Sequence, residues 1–168
     1  MNQVFAMTIV DESGREYGNS PDMNKAIIRK FIDGYNSRNM DVFEELVAPD
    51  YFDHLFQQKG RDKFKEMFTM AFEGFPDWYE AIQDIIAEGN KVWVWIKATG
   101  THTSEWNLFG VSVPPTGNKI EMNMVFVWRL ENGKLVEGWE VDDNLEILKQ
   151  MGIVEYTESG KEFMTVFK

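Results

Sequence analysis

The sequence predicts an α+β domain in which amino-terminal helices cover one face of a curved, mostly antiparallel sheet. Segments with the helical spacing of apolar residues fill the first half of the 168-residue chain, and strand-like segments fill most of the second half. Short turns join several of these later segments, among them Glu131-Asn132-Gly133, whose Asn-Gly pair is typical of a hairpin. Helices followed by a meander pack as two layers, and a bent sheet closed by helices forms a cone with an apolar interior.

The length of the chain favours one domain, which we place at residues 20–152, with an amino-terminal extension at 1–19 and a tail at 153–168. Lys and Arg number 17 and Asp and Glu number 28, so the formal charge is −11. Such a surface repels phosphate backbones and anionic lipids, and we expect no nucleic-acid or membrane partner. The absence of cysteine excludes disulfides, a thiolate nucleophile and cysteine-bound metals. No basic segment with a long apolar run begins the chain, which favours a cytoplasmic location.

Three helices are expected before the strands. The first begins at Ser20-Pro21-Asp22, where Ser suits the N-cap, Pro the first helical position and Asp the first turn. The polar run 36–39 ends it, and a second, short helix over 42–47 is closed by Pro49. The segment PDYFDHLF is then expected to be extended, and the third helix follows Gly60. The apolar stripe of the first helix is Met23, Ile27, Phe31 and Tyr35.

Four strand-like segments follow, and a last helix closes the domain. The segments span 78–90, 91–103, 118–130 and 134–141, with a long loop at 104–118 before the third. The last helix, 144–151, ends at Gly152, a residue type typical of the position after a helix. The tail after it has no pattern that predicts its shape.

Alternation along the third strand indicates which side chains face the interior. The even positions of 120–130 are apolar and should be buried; they are Ile120, Met122, Met124, Phe126, Trp128 and Leu130. The second strand is apolar on both faces, because Trp93 and Trp95 alternate with aliphatic residues. A strand apolar on both faces is covered on both sides, here by the terminal extensions or by a second subunit. We therefore expect a homodimer.

The interior of such a cone suits a hydrophobic small-molecule ligand. Core residues and ligand-contacting residues can be the same in this architecture, and the flexible Met side chain fits an irregular wall. Apolar residues of the 104–118 loop would form a lid over the pocket or pack on a partner subunit. The candidate ligand-binding residues are Met122, Met124, Phe126, Trp128, Phe56, Trp106 and Phe109.

Two long stretches resemble the SnoaL-like polyketide cyclases. GTHTSEWNLFGVSVPPTGNKIE is similar to the family's GTHTGEF…G-(I/V)-PPTG stretch. FVWRLENGKLVEGWEVDDNLEILKQMG resembles its pattern R-(I/L)-x-x-G-K-I-V-E-H-W-D-x-x-D-x-L-x-L-L-x-Q-(L/M)-G. With the helix that ends in YNSRN and the segment PDYFDH, the resemblance covers about residues 22–152. It implies the cone-shaped nuclear-transport-factor-2-like fold.

The resemblance also implies an activity. The best-known members close a ring by an intramolecular aldol reaction, in which a carboxylate removes a proton next to a carbonyl without a metal or cofactor. That carboxylate is the Asp of the family's H-W-D, and the corresponding triplet here is Gly138-Trp139-Glu140. Glu140 therefore stands at the position of the base. The family's His is replaced by Gly138, and a second His of some cyclases falls on Phe126.

Four acids lie near the end of the last strand, and we weigh them separately. Glu140 would be the base if an apolar pocket raised its pKa; otherwise it is a polar strand residue near the rim of the sheet. Asp143 precedes a helix and is expected to be its N-cap. Asp142 and Glu137 are expected to be solvated charges.

Tyr35 and His54 are the candidate polar helpers. Tyr35 is either a core residue of the first helix or a hydroxyl that reaches the pocket. His54 would be a second acid–base group at the mouth of the cone or a partly exposed surface residue. Asp53 precedes it, but neighbours in a strand point to opposite faces. His102 is expected to tie a strand end to the following loop, and two histidines without acidic partners at a regular spacing predict no metal site.

Three hypotheses on function follow. The first is a cofactor-independent cyclase or isomerase that acts on a hydrophobic carbonyl compound, with Glu140 as the base. The second is a non-catalytic protein that binds a hydrophobic ligand in the cone, motivated by the loss of both family histidines. The third is a subunit whose cone is filled by its own side chains and that acts through its convex face, motivated by Trp93 and Trp95.

Overall fold

The computed structural model describes residues 9–10, 16–17, 20–108 and 110–167. The strands are β1 (Ile9–Val10), β2 (Glu16–Tyr17), β3 (Val47–Asp53), β4 (Gln58–Lys59), β5 (Tyr79–Glu88), β6 (Lys91–Thr101), β7 (Trp106–Leu108), β8 (Val111–Val113), β9 (Lys119–Glu131) and β10 (Lys134–Asp142). The helices are α1 (Pro21–Asn36), α2 (Asp41–Leu46), α3 (Arg61–Thr69), α4 (Ala71–Gly74), α5 (Asn144–Gln150) and α6 (Glu158–Met164), followed by a short 3₁₀ turn at Thr165–Phe167.

The main sheet has six strands in the order β4-β3-β10-β9-β6-β5. Adjacent strands of this sheet are antiparallel, except β3 and β10, which are parallel to each other. Two small sheets stand apart from it, β1 with β2 in the amino-terminal extension and β7 with β8 in the loop predicted at 104–118. The predicted α+β fold, with amino-terminal helices and a curved, mostly antiparallel sheet, is confirmed.

Helix α1 begins as the sequence predicts. The hydroxyl oxygen of Ser20 accepts a hydrogen bond from the backbone N–H of Met23 at 3.2 Å, and Pro21 is the first helical residue. The buried stripe differs at its start, because Met23 is 46% exposed. The side chains that face the sheet are Ile28, Phe31, Ile32 and Tyr35.

The second predicted helix is shorter than expected. Helix α2 ends at Leu46, and Val47 already begins β3. Pro49 lies within that strand rather than closing the helix, in a part of β3 where the pairing with β10 skips from Val47 to Phe52. A proline, which has no N–H to donate, is tolerated in a strand at such an irregularity.

The alternation predicted for β9 is confirmed, since all six even positions from 120 to 130 are at most 7% exposed. Trp128 stacks on Phe126 and meets the edge of Phe31 from α1. These ring contacts join the sheet to the helices and close the narrow end of the interior.

Strand β10 carries a bulge that decides which of its side chains face inward. Its register against β9 shifts between Leu135 and Glu137, which leaves Val136 as the extra residue. Leu135 and Gly138 are consequently both buried, although simple alternation places them on opposite faces. After the bulge, Glu140 pairs with Phe126 across the strands and therefore points to the inner face.

Part of the outer face of the sheet is apolar and exposed. Trp93 and Trp95, which lie there, are each 47% exposed. The expected cover by a second subunit therefore stays a prediction. In the described ranges, no helix is both long enough and apolar enough to cross a membrane.

Candidate active site

A cavity of about 310 Å³ lies between the helices and the inner face of the sheet. Aromatic and Met side chains form most of its wall, which agrees with the apolar interior that the fold predicts. Seven of the predicted site residues line it: Tyr35, Phe56, Trp106, Met122, Met124, Phe126 and Glu140.

The other three predicted site residues do not line this cavity. Trp128 is fully buried in the core behind Phe126, so it supports the wall and has no free surface for a ligand. His54 lies on the opposite face of the sheet. Phe109 lies outside the described residues.

Glu140 and Asp142 lie side by side in the cavity. They are two residues apart in β10 and so share its inner face. Burial, followed by the negative charge of Asp142, raises the pKa of Glu140 well above its ordinary value. Burial also raises the pKa of Asp142, although its hydrogen bond with Glu140 opposes that shift. The two carboxyl groups therefore titrate as a pair.

The interpretation of Asp142 as a solvated charge is wrong. Strand β10 extends one residue beyond the predicted end, to Asp142, and the alternation of the strand turns that side chain inward. Asp143, the next residue, lies outside the strand and caps α5 as predicted. Its Oδ1 accepts a hydrogen bond from the backbone N–H of Glu146 at 3.2 Å.

Glu80 is a third carboxyl group of the cavity, and sequence reasoning missed it. Its side chain is 4% exposed, and Oε1 accepts a hydrogen bond from Nε1 of Trp78 at 3.1 Å. The amide of Asn36 fixes its backbone through two hydrogen bonds, of 2.8 and 2.9 Å. Burial raises the pKa of Glu80 to about 7. A signal was present, because position 80 lies on the same strand face as the apolar Trp78 and Ile82.

Asp53 is the fourth carboxyl group. It lies at the end of β3, beside Gly138 of β10, and is 4% exposed. Burial raises its pKa, while hydrogen bonds from the backbone N–H groups of Phe56 and Leu55 act in the opposite direction. The Phe56 N–H donates to Oδ1 at 2.9 Å, so Asp53 also shapes the turn after the strand.

His54 is part of a charged cluster on the outer face rather than of the cavity. Its Nε2 lies 2.9 Å from Oε2 of Glu137, and its ring stacks on Trp139 at 4.2 Å between centroids. Arg129 pairs with the same Glu137 carboxylate. These hydrogen bonds, that of His54 first, lower the pKa of Glu137. Of the two roles considered for His54, the partly exposed surface residue agrees with the structure, because Asp53 lines the cavity and the next residue faces the other side. Glu137 is a partly exposed charge, as expected, but it is paired with His54 and Arg129.

Two polar atoms of aromatic residues complete the cavity wall. The hydroxyl of Tyr35 donates a hydrogen bond to the backbone carbonyl of Phe68 at 2.7 Å, so its proton is already engaged. Trp106 of β7 differs, because its buried Nε1 has no hydrogen-bond partner among the described residues. Trp106 packs against Phe75 and closes one side of the cavity. Its indole N–H is thus an unpaired donor on a residue that lines the cavity.

His102 has the structural role that the sequence predicts. It is fully buried, and its Nδ1 accepts a hydrogen bond from the backbone N–H of Thr116 at 3.3 Å. At the same junction, the backbone N–H of His102 donates to the carbonyl of Asn118, and the N–H of Gly117 donates to the carbonyl of His102. Burial lowers the pKa of His102, so the ring is neutral at ordinary pH. It anchors the loop that carries Trp106.

The arrangement is suited to moving a proton in an apolar environment. Within the described residues, no group of three or more His, Asp or Glu side chains could hold a metal ion. A pair such as Glu140 and Asp142, with one proton between them, supplies one acid and one base.

Comparison with known proteins places these observations in context. The profile of the SnoaL-like polyketide cyclase family matches residues 25–151. IdmH from Streptomyces antibioticus, assigned as a polyketide cyclase, is 30% identical with a TM-score of 0.68, over 77% of this chain and 98% of that one. No curated protein sequence matches the chain significantly.

Two more distant structures share the fold. A SnoaL-like polyketide cyclase from Agrobacterium tumefaciens is 17% identical with a TM-score of 0.66, over 77% of this chain and 98% of that one. TsrD from Streptomyces laurentii is 16% identical with a TM-score of 0.72, over 81% of this chain and 99% of that one. At these identities the likeness extends to the fold alone.

Proposed function

The chain belongs to the SnoaL-like polyketide cyclase family, and we propose that it catalyses a cofactor-independent, acid–base cyclisation or isomerisation of a hydrophobic carbonyl compound, with Glu140 as the base. The observation that carries the proposal is the position of Glu140, which lies beside Asp142 in an apolar cavity. Burial and the neighbouring carboxylate raise its pKa well above the ordinary value, and a carboxylate with a raised pKa is a stronger base.

The reaction uses one proton transfer in each direction. The ionised Glu140 removes a proton from the carbon next to a carbonyl, and the electron pair moves into an enolate. For a cyclisation, the enolate carbon attacks a second carbonyl of the same molecule, and the new alkoxide takes the proton back from Glu140. For an isomerisation, the proton returns to a different carbon. Asp142 stays next to Glu140 throughout and shares its proton.

The developing negative charge on the carbonyl oxygen needs a donor. The two family histidines are replaced by Gly138 and Phe126, so the donor differs from the one that the family pattern implies. Trp106 is the candidate, because it lines the cavity and its buried indole Nε1 has no partner among the described residues. Removing one such donor reduces turnover by about 10²-fold or more in well-studied enzymes.

The base is tested without knowledge of the natural substrate. Phenylacetone in deuterated water exchanges the protons next to its carbonyl when a base removes them, and NMR measures that exchange. Glu140→Gln should reduce enzyme-dependent exchange by roughly 10²-fold or more, the range of general base catalysis. The control is Asp143→Asn, which removes the neighbouring charge and keeps a residue suited to the N-cap. Equal exchange by the wild type and Glu140→Gln rules out Glu140 as the base.

A second function is supported by the missing histidines, namely binding of a hydrophobic ligand without conversion. Both functions use the same cavity, but a binding protein would release its ligand unchanged. If the wild-type protein binds phenylacetone and gives no exchange above the buffer rate, binding without catalysis is the better account.

A further inference from the structure

The cavity has an unusual balance of charge. Four carboxyl groups line it, those of Asp53, Glu80, Glu140 and Asp142. In the part of the chain that the structure describes, no Lys, Arg or His side chain lines it. Buried acids are ordinarily paired with cations or with several donors, because desolvation of a lone carboxylate is unfavourable.

Two oxygen atoms of these groups have no hydrogen-bond partner among the described residues. Glu80 is 4% exposed, and its Oε2 is buried and unpaired although its Oε1 is held by Trp78. Oδ1 of Asp142 is likewise buried without a donor. Buried polar atoms in folded proteins nearly always have partners, so two unpaired acceptors in one cavity indicate a ligand that donates.

The groups around these oxygens are acidic or neutral. Glu80 on β5 feels the charge of Asp142 on β10, and Glu140 feels both. From α1, the phenol of Tyr35 faces the same acids. The guanidinium of Arg38 is engaged outside the cavity, where it binds the backbone carbonyls of Asn36, Pro76 and Trp78 and lies over the ring of Phe72. From the other side, Asp53 and the buried phenol of Tyr51 add no positive charge.

We propose that the cavity takes hydrophobic ligands that carry a protonated amine, with the free oxygens of Glu80 and Asp142 as the acceptors. The inference rests on the proposed function, because it names the substrate class of the same site. An ammonium group supplies the positive charge that no described residue of the wall provides, and it supplies donors for the two unpaired oxygens. A metal ion does not fit, since no three of the described acids could coordinate one.

The wall of the cavity suits such a ligand as well. The rings of Tyr35, Trp78, Phe68 and Trp106 line it, and aromatic faces attract cations in addition to packing on apolar groups. A hydrophobic anion would meet the opposite conditions, because it would place a like charge among four acids.

The bound amine would also prepare the base. In the empty cavity, burial and Asp142 favour the protonated form of Glu140, which is unable to accept a proton. A positive charge beside the pair favours the ionised form, so binding the amine releases a proton and leaves Glu140 as a carboxylate. The substrate would thus generate the form of the site that reacts with it.

Calorimetry with three matched probes tests the inference. Tryptamine carries an ammonium group at neutral pH, tryptophol replaces it by a hydroxyl, and indoleacetate carries a negative charge. We expect tryptamine to bind at least tenfold more tightly than tryptophol at neutral pH, since a charged hydrogen bond is worth roughly 1.5–3 kcal/mol. Indoleacetate should bind more weakly than either. Titration in two buffers of different ionisation enthalpy should detect proton release with tryptamine and none with tryptophol.

Two substitutions test whether the carboxyl oxygens of Glu80 and Asp142 cause the preference for tryptamine over tryptophol. Glu80→Gln keeps an acceptor for Trp78 and should weaken tryptamine binding about tenfold while leaving tryptophol within twofold. Glu88→Gln at the exposed end of the same strand removes the same charge outside the cavity and should change neither affinity. Asp142→Asn repeats the test at the second oxygen and covers the case in which Glu80→Gln does not fold.

The outcomes separate this inference from the proposed reaction. It is overturned if tryptophol binds as tightly as tryptamine, if tryptamine does not bind at millimolar concentration, or if both pocket variants bind tryptamine like Glu88→Gln. A protein that prefers tryptamine but does not exchange the protons of phenylacetone at any pH, including values well above neutral where Glu140 is ionised without an amine, retains the amine site and loses the reaction. Exchange that depends on Glu140 with no preference for the cation retains the reaction and removes the amine site.

Discussion

The hydroxyl of Tyr51 fills the space into which a side chain at Gly138 would extend. A Cβ atom placed on Gly138 would lie 2.1 Å from that oxygen, and 2.9 Å from Nε1 of Trp128. The Trp128 indole forms a hydrogen bond with Tyr51, so both groups are held in place. The glycine that replaces the family's histidine is therefore a steric requirement of the Tyr51–Trp128 pair in this chain.

Gly138→Ala should destabilise the protein by roughly 1–3 kcal/mol, the usual effect of overfilling a packed interior. Urea unfolding measures the change in the free energy of unfolding. Tyr51→Phe removes the obstructing oxygen, so Gly138→Ala should be less destabilising in that background, with a coupling energy of about 1 kcal/mol or more. The matched control is Gly160→Ala in α6, where the nearest atoms are at 3.3–3.4 Å. Additive effects of the two interior changes would refute the steric account.

Asp142→Asn should lower the pKa of Glu140. The substitution removes the negative charge that, after burial, contributes most to raising it. The acid limb of the pH profile for phenylacetone exchange should therefore move to lower pH, since Glu140 stays ionised over a wider range. Glu88→Gln provides the comparison for loss of a charge at a distance. A limb that is unchanged, or that moves to higher pH, would show that Asp142 does not govern the base.

The features predicted from the sequence are those that depend on local periodicity. The even face of β9 follows from strict alternation, and Ser20 and Asp143 cap helices because their residue types suit that position. Glu140 was identified from the family pattern rather than from alternation. The local pattern left both faces of β10 mixed, and the bulge at Val136 explains why.

The features that were missed depend on contacts between distant segments. The proximity of Tyr51 to Gly138 arises from the parallel pairing of β3 with β10, which no pattern within either strand reveals. Glu80 becomes part of the site because β5 brings it under α1, where Asn36 holds its backbone. Asp142 was missed for a smaller reason, a strand boundary placed one residue early.

Glu80 should make the protein less stable as the pH rises. Its pKa is about 7 in the folded protein against an ordinary value of 4.5, so below pH 4.5 the folded and unfolded forms are both protonated. Between pH 4.5 and about 7, Glu80 is ionised in the unfolded form but still protonated in the folded form. The free energy of unfolding therefore decreases across this range, by on the order of 3 kcal/mol in total once the pH exceeds the folded pKa. In Glu80→Gln, the free energy of unfolding measured with urea should decrease less between pH 4.5 and about 8 than it does in the wild type. Parallel pH curves for variant and wild type would contradict the assignment.

The outer face of the sheet should mediate a homodimer. Strand pairing aligns Trp95 with Val125, and Val125 with Val141, in one continuous apolar row, and Trp93 lies in the next row beside Ile86. Exposed apolar patches of this kind on soluble proteins commonly mark interfaces, because water contact with them is unfavourable. Val125→Lys places a charge in the centre of the row and should shift the protein towards monomer in sedimentation equilibrium. Val111→Lys, at a 64% exposed apolar residue of β8 away from the face, should leave the association unchanged. A wild-type protein that stays monomeric at high micromolar concentration would exclude a dimer through this face.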